Sequence, residues 1–123
     1  MFLTLSELEP VLSQVRTAFP NLVDWEYSNE AESDYFGFTV WGCLVLRDND
    51  DDLLTRRFYV TFDLSEAQWQ GALTIGQHNY FWTSADFGDA HLLNTERCSS
   101  LEDAIAALKN KITELARALS AFA

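Results

Sequence analysis

Apolar residues recur at helical spacing at both ends of the chain and alternate at every second position between them. Leu8, Leu12, Val15 and Phe19 fall three or four residues apart and mark one face of a helix over 7–19. Ser6 and Glu9 have the spacing of a capping box, and Pro10 then falls in the first turn or just beyond. Pro20 and Asn21 end the element. Near the other terminus, Leu101, Ile105, Leu108, Ile112, Leu115 and Leu119 follow at alternating spacings of four and three. With Ser99 and Glu102 as a second box, this predicts an amphipathic helix over 100–120. Lys109, Lys111 and Arg117 lie in its later turns, where the helix dipole favours cations.

Between the helices the period changes to two. Strands are predicted at about 22–28, 36–46, 56–64, 68–75 and 80–84, with a sixth short one at 90–96. The second carries Phe38, Val40, Leu44 and Leu46 on one face and Thr39, Trp41, Cys43 and Val45 on the other. The third alternates cleanly, with Phe58, Val60, Phe62 and Leu64 inward and Arg57, Tyr59, Thr61 and Asp63 outward. Short turns between such strands imply an antiparallel meander of four to six strands. The two helices need a partner for their apolar stripes, so both are expected on one face. The predicted fold is α+β, a two-layer sandwich, with residues 1–123 forming a single domain.

Charge narrows the function. Nineteen acids against eight bases leave a formal net charge of −11. A nucleic-acid binder needs a basic face, so that class is set aside. No apolar run reaches the length of a membrane span, and no signal peptide opens the chain. The expected location is the cytoplasm, where Cys43 and Cys98 stay reduced. The acid is uneven: residues 1–52 hold 11 acids and 2 bases, residues 53–123 hold 8 and 6. In a meander that includes strand 80–84, the loops at one end gather Glu30, Glu32, Asp34, Glu66, Asp86 and Asp89. Asp48, Asp50, Asp51 and Asp52 fall at the other end with Gln77 and His78, about 35 Å away. Two acidic poles are expected, and they serve either as solubilising turns or as a docking surface for a basic partner. Asp48, Asp50 and Asp52 share the early spacing of a calcium loop, but Leu53 replaces its glycine and Tyr59 its closing glutamate. No metal site is therefore assigned.

Trp41, Tyr59, Tyr80 and Trp82 fall on the face opposite the helices, beside Cys43 and Val45. That is more apolar area than a solvated face needs, and it points to an interface: a homodimer first, a partner protein second. Catalytic signatures are weak. His78 and His91 are expected to lie apart, and Asp86-Phe87-Gly88 lacks every companion motif of a kinase. No glycine-rich phosphate loop occurs, and no cofactor is implied. A pairing of Cys43 with His91 stays open, although Cys43 sits in an apolar strand pattern. The expected function is a non-catalytic acidic interaction protein that binds another, basic protein in an immunity, inhibitor or chaperone-like role. A small-ligand-binding domain with a pocket between sheet and helices is the alternative, and a small enzyme the second.

Overall fold

The computed structural model describes residues 3–29, 37–46, 56–75 and 90–123. Helix α1 (Leu5–Ala18) leads into strands β1 (Val23–Asn29), β2 (Phe38–Leu46), β3 (Arg56–Ser65), β4 (Gln68–Ile75) and β5 (Ala90–Asn94). Helix α2 (Leu101–Leu119) and a short 3-10 turn (Ser120–Phe122) complete the order. The strands form one open sheet in sequence order, β1-β2-β3-β4-β5, antiparallel throughout. This is the α+β meander with a helix at each end that the periodicity predicts. The strand predicted at 80–84 lies outside the described residues. β4 instead takes its neighbour directly from β5, with Ile75 opposite Ala90.

The cap of helix α1 lies two residues earlier than predicted. Thr4 is the N-cap, and Glu7 completes the box: the Thr4 backbone N–H and hydroxyl donate to Glu7 Oε1 at 3.0 and 2.9 Å. Thr4 and Glu7 have the same spacing as Ser6 and Glu9, so the choice is made by what precedes them. Leu3 is buried and joins Leu8 in the core, the arrangement of a hydrophobic staple. Asn29 at the end of β1 also clamps Leu3, accepting from its N–H at 2.8 Å and donating to its carbonyl at 2.9 Å. In α2 the cap likewise moves by one residue: Ser100, not Ser99, accepts from the Asp103 N–H at 3.1 Å.

The core lies between the sheet and the two helices. Phe38, Val40, Val60, Phe62, Leu64, Trp69 and Leu73 from the sheet meet Leu8, Val15 and Phe19 of the α1 region and Leu101, Ala104, Ile105 and Leu108 of α2. The Phe19 and Phe62 rings lie 6.0 Å apart, and Trp69 meets Phe38 edge-on at the same separation. Gly71 leaves room for the Phe62 ring and for Leu108 of α2: a Cβ there would stand 2.8 Å from the ring and 3.3 Å from Leu108. Gly42 does the same for β1, since a Cβ there would strike the Trp25 indole at 2.6 Å. At the C-terminal end of α2 and in the turn after it, Leu119 is 55% exposed and Phe122 88%.

β5 ends at Asn94, short of the predicted 96. The Thr95 hydroxyl takes over from the backbone, accepting from the Gly71 N–H at 3.0 Å, while Thr95 N–H donates to Gly71 O at 2.8 Å. Gln70 Nε2 donates to the Thr95 carbonyl at 2.8 Å, and a two-bond bridge joins Cys98 to Trp69. The connector into α2 is thus stitched to β4 along its length.

Candidate functional site

Strand β1 forms one edge of the sheet, and its exposed residues include Asp24, Glu26 and Tyr27. Its register shifts between Val23 and Glu26, where Asp24 adopts φ 55°. A bulge of this kind twists an edge and blunts strand addition, so the edge offers side chains more than backbone. The shift also lets Trp25 turn to the helix side, over Gly42. Glu26 faces the other way, directly opposite Trp41 in β2, and the Trp41 indole N–H donates to Glu26 Oε2 at 3.3 Å. An acidic side chain outside the expected acidic end, Glu26, therefore meets the aromatic candidate Trp41 across β1 and β2. Sequence spacing missed Glu26 as a partner of Trp41, because their pairing depends on the bulge.

Of the expected acidic end, only Glu66 is described. It sits exposed in a two-residue hairpin turn with Ala67, both in the left-handed region at φ 53° and 63°. Ser65 pairs with Gln68 across it, the geometry of a type I′ turn, which glycine and asparagine ordinarily supply. The Asn29 end of β1 and this turn lie at the same end of the sheet, by the pairings Asn29–Phe38, Phe38–Leu64 and Leu64–Trp69. Glu30, Glu32, Asp34, Asp86 and Asp89 lie outside the described residues, as do Tyr80, Trp82, His78 and Asp48–Asp52. The grouping of Asp86 and Asp89 with Glu66 required a strand beside β4 before residue 85. Among the described residues the neighbour of β4 on that side is β5, with Ile75 opposite Ala90.

The face away from the helices carries Trp41 and Tyr59, as the alternation predicts, and both are half-buried. Its centre is not solvated. Thr39, Cys43, Thr61 and Thr74 are exposed by only 5%, 2%, 4% and 2%. Cys43, Tyr59, Thr74 and His91 form one cross-strand row. Two strands separate Cys43 from His91, about 14 Å at ordinary strand spacing, too far for a thiol–imidazole pair. Cys43 and Cys98 are both free thiols. Among the described residues, no group of three or more His, Cys, Asp or Glu side chains is placed to hold a metal ion. No helix among them is long and apolar enough to cross a membrane.

On the helix side, a cavity of about 360 Å³ opens between the sheet and α2. Phe19, Leu22, Leu44, Phe58, Val60, Leu73 and Ile112 form its apolar walls, joined by Lys109 and Thr113. This is where the pocket expected between sheet and helices falls.

The fold and these surfaces define an α+β protein built on an open antiparallel meander with terminal helices. Comparison with protein-family models, curated proteins and solved structures finds no match for the chain.

Proposed function

We propose that this protein is a non-catalytic interaction domain that docks a basic protein partner along its acidic β1 edge. The observation that carries the reading is the contact between Trp41 and Glu26 on an exposed edge strand. An indole face attracts a guanidinium or ammonium group, and a carboxylate beside it supplies the matching charge. A lysine or arginine of a partner laid against Trp41 would meet Glu26 in the same place. Asp24 adds charge nearby, and Glu30, Glu32 and Asp34 follow Asn29 directly in sequence. A net charge of −11 steers basic partners towards the chain over distances comparable to the Debye length. The free thiols of Cys43 and Cys98 suit a reducing compartment, and the cytoplasm is the proposed location.

The test is capture from native host lysate on the immobilised protein, washed at low and then high salt, with eluates identified by mass. A basic partner is expected to be retained at low salt, released at high salt, and lost with Glu26→Gln, Glu30→Gln, Glu32→Gln and Asp34→Asn combined. Undiminished retention by that variant would overturn the reading. So would an empty capture from a chain that sediments as a dimer, which would assign Trp41 and Tyr59 to self-association.

A further inference from the structure

The cavity between sheet and α2 has a defined chemistry. Leu108 of α2 packs close against Gly71 of the sheet, and the cavity opens beside the residues that follow it, Lys109, Ile112 and Thr113. Its volume of about 360 Å³ is at the lower end of the roughly 300–1,000 Å³ typical of small-molecule sites. Among the described residues, seven of the nine that line it are apolar. Of the two polar ones, Thr113 donates its hydroxyl proton to the Lys109 carbonyl at 3.0 Å. The Lys109 ammonium is therefore the side-chain donor left for an occupant. It lies 5.3 Å from the centroid of the Phe19 ring, and no carboxylate among the described residues pairs with it.

From this we infer that the cavity binds an amphipathic monocarboxylate, with a medium-length hydrocarbon tail against Phe58, Val60 and Leu73 and its carboxylate on Lys109. Apolar walls reward burial of the tail, each methylene adding to affinity. A single cation at the wall selects one negative head group over a neutral one. The site shares no residue with the acidic edge, so the inference stands or falls independently of the docking proposal.

Decanoate and decanol are the probes, titrated into the full chain and followed by backbone amide NMR. Decanoate is expected to saturate one site, with the largest shifts at Ile112, Thr113 and Val60. Lys109→Met should weaken decanoate about tenfold and leave decanol unchanged. Leu44→Trp, a rim substitution that fills the cavity from its half-exposed side, should abolish both while the remaining spectrum stays native. Any of three results would overturn the assignment. Decanoate fails to bind, or decanol binds as tightly as decanoate in the unmodified protein, or Leu44→Trp leaves binding intact. Concentration-dependent changes at the same amides without any probe would give the cavity to a second copy of the chain instead.

Discussion

Asp63 stands on β3 between Thr39 of β2 and Gln70 of β4, on the face away from the helices. Burial raises its carboxyl above the usual aspartate range, and the nearby charge of Arg97 opposes that shift. The folded chain therefore keeps this proton to higher pH than the unfolded chain. Stability contributed at this residue falls as pH rises from the unfolded to the folded titration range. Asp63→Asn removes the ionisation, so its melting temperature relative to wild type should climb as pH rises through and beyond the usual aspartate range. A difference that stays flat over that interval would show that Asp63 is not held protonated by its surroundings. Ala67 offers a second residue-scale test. A left-handed backbone costs a non-glycine residue roughly 1–2 kcal/mol, partly offset by glycine's greater freedom when unfolded. Ala67→Gly should stabilise the hairpin by about 0.5–1 kcal/mol in denaturant melts, with Glu66 kept in place. The alternation around 65–68 announces a turn there, but neither Glu66 nor Ala67 signals a positive φ, because the tight pairing of Ser65 with Gln68 imposes it.

At the scale of elements, the joint between β4, β5 and α2 depends on one hydroxyl. Thr95 is buried, and its Oγ1 replaces a backbone carbonyl as acceptor for the Gly71 N–H. Thr95→Val keeps the shape and removes the acceptor, which should cost about 1–3 kcal/mol and speed hydrogen exchange at the Gly71 amide. Thr95→Ser should restore both. Alternation over 90–96 reads as a continuous strand, and the substitution of side chain for ladder at Thr95 leaves no periodic trace. The helices were more legible. Leu101, Ile105 and Leu108 point inward as their spacing requires, and Ile112 and Leu115 are half-buried. The same spacing includes Leu119, yet that residue, in the last turn of α2, is exposed. A periodic stripe tells which way a helix faces but not how far along it burial extends. The caps show the converse limit. Two boxes of equal spacing compete at the start of α1, and the long-range clamp from Asn29 onto Leu3 accompanies the choice of Thr4.

For the whole molecule, alternation and helical spacing by themselves determined the element types, their order, the inward faces of β2 and β3, and the antiparallel meander. These are local properties, written in neighbours two to four positions apart, and burial acts on each element almost independently. Composition likewise determined the net charge and the poverty of catalytic motifs. Tertiary structure alone decided that β4 pairs with β5, that Glu26 meets Trp41 across a bulge, and that Thr39, Cys43, Thr61 and Thr74 are shut away from water. It alone decided that a cavity opens between the sheet and α2, with Lys109 on its wall. Each of these depends on which residues of distant segments come into contact, and on the space left once Trp25, Phe62 and Leu108 have packed. The period of a single segment carries no record of the neighbour it will meet.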